Sequence, residues 1–379
     1  MSKIIPYGHQ SIDESDIQVV IKVLKADRIT QGPEIDKFEN ALAKFVGAKY
    51  AVATSSGTAA LHAACIACGI TQGDEVIVPT LSFIASANCV LYCGGKPVLV
   101  DIYPDTLTIN VEEVERKITK KTKAIIAVDF AGHPAHWDKL KKLASKYRLT
   151  LIDDASHAIG SKYKNKPIGS IADLTTFSFH PVKTITTGEG GAVTTNNKIY
   201  FEKLKKLRHH GIYKNNDLSK KFGAWFYQVM DLGYNYRMTD IQAALGVSQL
   251  SKIDQFIKKR RRIWQKYNQA FGKIHELTLP TEQNGCFCAW HIYTVRLKAK
   301  AKKSRRQVFD FLRKAGIGVQ VHYIPIHMLD LYRKRFRLKA ISFPVAEQYY
   351  KETMSLPLFA KMTDKEVNFV IKTLKDAIR

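Results

Sequence analysis

Short apolar segments alternate with helix-like segments between about residue 50 and residue 240. Most of the apolar segments are continuous runs rather than alternating ones, as expected for strands that are buried on both faces of a sheet. Alternation with helices, for example over residues 137–147, predicts an α/β fold with a mostly parallel sheet. The predicted strands cover residues 50–54, 75–78, 97–100, 124–128, 150–153, 174–178 and 191–195.

The pattern changes after residue 240. A long helix is expected to begin at Thr239 and Asp240, which are good capping residues, and to continue beyond Ile253. The last third mixes predicted strands at 290–297 and 318–322 with predicted helices at 305–315 and 364–378. A chain of 379 residues is too long to fold around a single simple core. We therefore expect a large domain with an N-terminal arm at residues 1–245 and a small α+β domain at residues 246–379.

The composition is that of an ordinary globular protein, with 45% hydrophobic and 25% charged residues. No apolar run approaches the ~18–20 residues that span a bilayer, and the N-terminus lacks the apolar core of a signal peptide. We therefore expect a cytoplasmic protein without a membrane partner. Cys65 and Cys68 lie in a helix pattern of small residues, and no second pair with ligand spacing follows, so no metal site is expected.

The formal net charge is +25, which raises the alternative of nucleic-acid binding. The basic clusters lie at residues 258–262, 302–306 and 333–335, and none belongs to a recognisable nucleic-acid module. We interpret them as solvated helix faces and expect no nucleic-acid partner. A positive field could also attract an anionic substrate.

Residues 55–61 read Ser-Ser-Gly-Thr-Ala-Ala-Leu and follow a predicted strand. Small residues turn the chain there, and the N–H groups at the start of the next helix favour an anion. Gly57 allows a phosphate to approach the backbone, and Thr58 adds a hydroxyl group. The alternative is a simple helix cap, which the same residues also form.

Two carboxylates, Asp153 and Asp154, end the apolar strand Leu151-Ile152. Ligands bind at this edge of open α/β sheets. A partly buried carboxylate there needs a positive partner, and a protonated pyridine nitrogen would serve. The pattern alone leaves open which aspartate faces a ligand, and either could instead cap the following turn.

Lysine and arginine account for 59 of the 379 residues, yet residues 167–197 contain a single one, Lys183. A lysine among apolar and hydroxyl residues is desolvated, which lowers the pKa of its amine. Such an amine can bond covalently with an aldehyde. Glycines 188, 190 and 191 suit a loop that lies close to a ligand. A surface lysine on a turn is the alternative.

These segments occur together and in order with further motifs: "SSGTAAL", "PTLSFIASAN", "DDASHAIGS", "SFHPVKTITTGEGGAV", "GYNYRMTDIQAALG" and "QVHYIPIH". The sequence resembles the DegT/DnrJ/EryC1/StrS family of sugar aminotransferases. The resemblance implies an aspartate-aminotransferase-like fold (fold type I of the pyridoxal-phosphate enzymes), with a mostly parallel central sheet and a smaller C-terminal α+β domain. It also implies pyridoxal 5'-phosphate as the cofactor.

The resemblance assigns roles by position. Lys183 matches the lysine that bonds the cofactor and moves the proton, and Asp154, rather than Asp153, matches the partner of the pyridine nitrogen. His157 matches the residue beside the phenolic oxygen of the ring. Phe83, which we would otherwise interpret as core, matches the aromatic residue that stacks on the ring. The remaining matches concern the cofactor phosphate: Gly57, Thr58 and Ser178 from one subunit, and Asn235 from the other subunit of a homodimer with shared active sites.

Sugar-nucleotide contacts are implied for Tyr7, Thr30, His322 and Tyr323. Thr30 could instead cap the turn at residues 31–33, and His322 could be a hydrogen-bonded histidine at a strand end. Arg237 is a candidate for binding the carboxylate of glutamate. It could equally pair with one of two nearby carboxylates, Asp231 or Asp240.

Within the family, "IPYGHQSID", "ITQGPEIDKFE" and "VHYIPIH" most resemble members that act in pseudaminic acid biosynthesis. The implied reaction transfers an amino group from glutamate, leaving 2-oxoglutarate, to a 4-keto-6-deoxy UDP-N-acetyl-hexosamine. The alternatives are another nucleotide-sugar aminotransferase, of the perosamine type or acting at C3, and a sensor protein that binds the same cofactor.

Overall fold

The computed structural model describes residues 4–338 and 342–379. Fifteen strands are assigned: β1 Tyr50–Thr54, β2 Glu75–Pro79, β3 Lys96–Val100, β4 Thr122–Val128, β5 Thr150–Asp154, β6 Lys162–Tyr163, β7 Lys166–Pro167, β8 Leu174–Ser178, β9 Gly191–Thr195, β10 Ile212–Tyr213, β11 Gln228–Val229, β12 Leu277–Thr278, β13 Cys286–Phe287, β14 Tyr293–Leu297 and β15 Thr353–Leu356.

The helices account for most of the remaining chain. They are α1 Glu14–Leu24, α2 Pro33–Val46, α3 Gly57–Ala67, α4 Ala85–Tyr92, α5 Val111–Lys117, α6 Trp137–Tyr147, α7 Lys198–Leu207, α8 Asn216–Phe222, α9 Asp240–Ser251, α10 Ile253–Phe271, α11 Arg305–Lys314, α12 Asp330–Phe336, α13 Pro344–Glu352 and α14 Asp364–Ile378. No helix within the described residues is long and apolar enough to cross a membrane.

The central sheet contains seven strands in the order β1-β9-β8-β5-β4-β2-β3. All neighbours are parallel except β9, which runs antiparallel to both β1 and β8. The sequence-based prediction of a mostly parallel α/β sheet is therefore confirmed. Each of the seven predicted strands is present, with ends that agree within two residues.

Two apolar cores cover the two faces of this sheet, because alternate residues of a strand point to opposite sides. Ile125 and Ala127 of β4 belong to one core, which includes residues of α2 and α6. Ile126 and Val128 belong to the other core, which includes residues of α3 and α4. The strands are thus buried on both faces, which explains their continuous apolar sequences.

The second domain has its own core. An antiparallel sheet, β12-β14-β15, packs with α10, α11 and α14. The change of core falls within α10, where Ile257 packs with the large domain and Ile263 with the second one. The domain limit predicted at residues 245 and 246 falls within α9, a helix that contacts α1 and α2.

Two predictions in this region are wrong. The long helix from Asp240 is interrupted at Lys252, whose ψ of 0° separates α9 from α10. Residues 318–322 form no strand, and only Gln320 makes a bridge, to Ser355 of β15. The reason is that Gly318 donates its N–H to the carbonyl of Ile5 at 2.7 Å, so the N-terminal arm occupies this position.

Candidate active site

A cavity of about 420 Å³ lies at the carboxyl ends of β4, β5 and β8, beside the start of α3. Most of the predicted site residues line it: Tyr7, Gly57, Thr58, Phe83, Asp154, His157, Ser178, Lys183, His322 and Tyr323. Three larger pockets exist among the described residues: those of about 730 and 800 Å³ contain none of the predicted residues, and one of about 450 Å³ contains a single one, Arg237. We therefore describe the smaller cavity as the site.

The start of α3 forms one wall of the cavity. Ser56 caps the helix by accepting a hydrogen bond from the N–H of Ala59 at 3.1 Å. The first N–H groups of a helix have no partner within it and favour an anion. A Cβ atom on Gly57 would lie 2.7 Å from the Cβ atom of Ser178, so only glycine fits there. Together with Thr58 and Ser178 this wall fits a phosphate group.

Asp154 is buried at the end of β5, on the face of the sheet that α3 and α4 cover. The hydroxyl of Ser86 donates to its Oδ2 at 2.5 Å, and the hydroxyl and N–H of Ser156 donate to its Oδ1 at 2.6 and 3.2 Å. Among the described residues no cation forms an ion pair with this carboxylate. The carboxylate therefore suits a cationic ring nitrogen.

Asp153 points away from the cavity, because adjacent residues of a strand face opposite sides. It is fully buried, and neither carboxyl oxygen has a hydrogen-bond partner among the described residues. Burial, with the nearby carboxyls of Asp129 and Asp154, raises its pKa well above the usual value. Burial likewise raises the pKa of Asp129 to about 8. Burial thus favours the protonated form of Asp153, and of the two adjacent aspartates only Asp154 lines the cavity.

Lys183 lies on the loop between β8 and β9, half-buried, with its N–H donated to the carbonyl of His180 at 2.9 Å. Burial lowers the pKa of its amine to about 8, and the charge of Arg260 acts in the same direction. The carboxylate of Asp154 opposes this shift. At pH 7 about a tenth of such an amine is neutral, against roughly one part in three thousand for an ordinary lysine.

His157 is buried beside the cavity and is neutral, because burial and the charge of Lys183 hold its pKa well below the usual value. Its Nδ1 accepts a hydrogen bond from the N–H of Ala131 at 3.3 Å, which assigns the proton to Nε2. Nε2 lies 3.2 Å from the hydroxyl of Tyr323. His157 therefore presents an N–H group towards this side of the cavity.

The other cavity residues form an aromatic wall. Phe83 is 54% exposed, so it is not a core residue, and its ring lies 5.8 Å from that of Tyr323. Tyr7 of the N-terminal arm lies 5.1 Å from His322. His322 bonds to the hydroxyl of Ser355, and burial lowers its pKa to about 4, so it too is neutral.

Three predicted residues do not line the cavity of their own chain. Thr30 forms a backbone bridge with Thr239. Asn235 is exposed. Arg237 bonds to Nδ1 of His209 at 2.8 Å and lines a separate basic pocket of about 450 Å³. Among the described residues it forms no ion pair with Asp231 or Asp240, the two alternative partners considered in the sequence analysis. The roles of these three residues stay predictions, and the one predicted for Asn235 is a contact with the other subunit.

Sequence reasoning missed two features of the site. Ser86, which holds Asp154, lies within the quoted motif "PTLSFIASAN", but nothing in that pattern marks a hydroxyl bound to a carboxylate. Arg260 belongs to the basic cluster at residues 258–262, which we predict to be a solvated helix face; this prediction is wrong for Arg260, which is 1% exposed. Its helical spacing with Phe256, Ile257 and Ile263 is the sequence feature that indicates its burial.

A family model described as the DegT/DnrJ/EryC1/StrS aminotransferase family matches residues 10–375. The chain belongs to this family. With the fold and the cavity described above, it is a pyridoxal-phosphate-dependent sugar aminotransferase.

Three known proteins illustrate the similarity. The UDP-4-amino-4,6-dideoxy-N-acetyl-beta-L-altrosamine transaminase of Campylobacter jejuni is 41% identical over 373 residues, which cover 98% of this chain and 96% of the relative. PseC of Helicobacter pylori, an aminotransferase involved in the biosynthesis of pseudoaminic acid, is 33% identical with a TM-score of 0.93 and 99% of each chain covered. The pyridoxal-phosphate form of the putative sugar aminotransferase Spr1654 of Streptococcus pneumoniae is 32% identical with a TM-score of 0.92, covering 99% of this chain and 98% of that one.

Proposed function

We propose that this enzyme transfers the amino group of glutamate to the C4 carbonyl of a 4-keto-6-deoxy UDP-N-acetyl-hexosamine, as in pseudaminic acid biosynthesis. The observation that carries the aminotransferase chemistry is that the amine of Lys183 and the carboxylate of Asp154 line one cavity beside a phosphate-binding helix start. The similarity to the Campylobacter transaminase supports the substrate. We expect the reaction to take place in the cytoplasm.

The cofactor, when bound, supplies an electron sink for the bond from Cα to hydrogen. In our proposal Lys183 would hold the cofactor covalently and, once released, would take the proton from Cα as base and deliver it to the C4′ carbon of the cofactor as acid. Its lowered pKa of about 8 suits both roles near neutral pH. Asp154 would hold the proton on the ring nitrogen of the bound cofactor. The N–H at Nε2 of His157 would donate a hydrogen bond to the phenolic oxygen of that ring.

The remaining residues bind and orient. The start of α3, with Gly57, Thr58 and Ser178, would hold the cofactor phosphate, and the exposed ring of Phe83 would be available to stack on the cofactor ring. On the open side, the aromatic wall receives the sugar nucleotide. The members of that wall proposed to contact the sugar nucleotide are Tyr7, His322 and Tyr323.

A panel of keto-sugar nucleotides tests the substrate. We expect glutamate-dependent formation of an amino sugar from the UDP-linked 4-keto-6-deoxy N-acetyl-hexosamine, detected by mass spectrometry, with one 2-oxoglutarate released per amine formed. The Lys183→Ala variant is the control for non-enzymatic amination. Turnover confined to a 3-keto substrate, or to a 4-keto sugar of the perosamine type, would contradict the proposed substrate while leaving the aminotransferase class intact.

A homodimer with shared active sites is part of the proposal. Among the described residues that line the cavity, Lys183 is the sole lysine or arginine, although cofactor and substrate both carry phosphates. Asn235 and Arg237 lie outside it: Asn235 is exposed, and the partly buried Arg237 lines a separate basic pocket. We infer that they complete the site of a second subunit and that Thr30, which bridges Thr239, lies near that boundary.

Sedimentation of the purified protein tests the dimer. We expect a species of twice the chain mass at micromolar concentration, and we expect mixing of Lys183→Ala with Asn235→Ala subunits to restore activity that each variant lacks alone. A fully active monomer would contradict shared sites.

A further inference from the structure

Arg260 is the buried member of the basic run at residues 258–262. Helical spacing places it on the apolar face of α10, and it is 1% exposed, whereas the side chain of Arg262 is 64% exposed. Its Nη1 donates to the carbonyls of His291 and Leu358 at 3.0 and 2.9 Å, and its Nη2 donates to the carbonyl of Lys183 at 3.4 Å. The guanidinium therefore joins three segments that are distant in sequence.

The charge of Arg260 is not neutralised by a neighbour. Within residues 4–338 and 342–379 no carboxylate forms an ion pair with it, and its Nε has no hydrogen-bond partner. Burial lowers its pKa to about 10, so the group still carries its charge at pH 7. A buried charge without a counter-ion is costly, and an apolar side chain of similar size would pack there at lower cost. Packing alone therefore does not explain an arginine at this position.

The three carbonyls that Arg260 binds belong to residues around the cavity. Lys183 carries the reactive amine, and the ring of His291 lies 4.4 Å from the ring of His157. Leu358 follows β15 and belongs to the core of the second domain. Helix α10 extends from the core of the large domain to the core of the second domain. Arg260 therefore lies where the β8–β9 loop that contains Lys183 (the lysine loop) meets the second domain.

We propose that Arg260 is a positioning residue for Lys183: it holds the backbone of Lys183 against the second domain, and its uncompensated charge favours the neutral, nucleophilic form of the amine. This inference rests on the proposed role of Lys183. It assigns a function to a side chain that touches neither the cavity nor a substrate.

Other titratable groups near Lys183 also affect the pKa of its amine. Asp154 faces the amine and raises its pKa, whereas burial and Arg260 lower it. The nearby histidines His157, His291 and His322 have pKa values held below the usual range, chiefly by burial, and are neutral at pH 7. The two remaining titratable groups on the cavity wall, besides the tyrosines, are His180 and Glu189 of the lysine loop.

The pH dependence of cofactor recombination measures the amine directly. The protein without cofactor is mixed with pyridoxal 5'-phosphate, and the rate at which the visible band appears is followed by stopped flow. A protonated amine cannot attack, so the rate rises with pH and levels off above the pKa, with an expected midpoint near 8. In Arg260→Gln the midpoint should move upward, and each pH unit of movement slows the reaction at pH 7 about tenfold.

Two further variants separate charge from packing. Arg260→Lys retains the charge, so its midpoint should stay within a few tenths of a pH unit. One ammonium cannot reproduce the planar fork that binds three carbonyls, so its affinity for the cofactor should fall several-fold. Arg262→Gln is the matched control, because it removes the same charge from an exposed residue paired with Asp364. It should change neither quantity.

The inference is overturned if the recombination rate of Arg260→Gln has the same pH midpoint as that of the unaltered protein. It is also overturned if the midpoint rises as much in Arg260→Lys as in Arg260→Gln. If Arg260→Gln does not fold, Arg260→Lys alone decides: a midpoint raised by a full pH unit, or an unaltered cofactor affinity, contradicts the inference. Lys183→Ala distinguishes failure of the proposed function from failure of this inference. If that variant still forms the visible band, the proposed function fails. If it forms no band but the Arg260 variants have the midpoint and cofactor affinity of the unaltered protein, only this inference fails.

Discussion

Replacement of Lys183 by alanine is expected to abolish both the visible absorption band of bound cofactor and transamination. Alanine offers no amine to bond with the aldehyde of the cofactor, and the change removes the group that we propose moves the proton. General acid-base catalysis contributes typically about 10²–10⁴-fold in rate, so loss of this role alone would lower kcat by that factor. The substitution leaves Gly57, Thr58 and Ser178 in place, so we expect the proposed phosphate site to be retained. Absorbance spectra and release of 2-oxoglutarate from glutamate provide the two measurements.

Lys198→Ala is the matched control for this experiment. Lys198 is exposed at the start of α7, shortly after β9, and does not line the cavity. It should retain both the visible band and the turnover of the unaltered protein. A Lys183→Ala protein that stayed coloured and active would remove the basis for the proposed chemistry.

Asp154→Asn is expected to retain the cofactor but to lower kcat by about 10²–10⁴-fold, a size typical of a lost proton-holding group. Asparagine has nearly the same shape, so contacts with Ser86 and Ser156 can persist in part. A neutral amide does not stabilise a positive charge on the ring nitrogen, and the ring then withdraws electrons poorly. We expect cofactor affinity to change far less than kcat. Spectral titration and steady-state kinetics with glutamate separate the two quantities.

Asp153→Asn supplies a control from the adjacent residue. Asp153 points to the opposite face of the sheet, and burial raises the pKa of its carboxyl and favours the uncharged form, which an amide resembles. We expect kcat within about threefold of the unaltered protein, because no cavity contact is lost. Equal losses in the two variants would show that the asparagine changes act through the fold, and would contradict the role assigned to Asp154.

The central sheet could be predicted because its strands are buried on both faces. Continuous apolar runs mark such strands in the sequence, and all seven were located. The same reasoning failed at residues 318–322, because the partner there is the N-terminal arm at Ile5, a contact between distant parts of the chain. The break at Lys252 also has no sequence signal, since neither proline nor glycine occurs there.

The chemistry of the site was only partly visible in the sequence. The isolation of Lys183 could be read directly, but the alternation along β5 does not reveal which face the start of α3 covers, and that decides between Asp153 and Asp154. The family resemblance supplied that choice. Arg260 was hidden within a run of basic residues whose other members are exposed or half-buried. The roles proposed for Asn235 and Arg237 would require a second subunit, which the sequence pattern of one chain does not reveal.

Peptide mapping after reduction tests the central assignment most directly. Borohydride makes the bond between a lysine and pyridoxal 5'-phosphate permanent, so digestion and mass spectrometry identify the lysine that held the cofactor. We predict that the added mass lies on the peptide containing Lys183, at one equivalent per chain, and that prior incubation with glutamate removes the label. A label on another lysine, or none on Lys183 in a coloured and active preparation, would contradict the assignment.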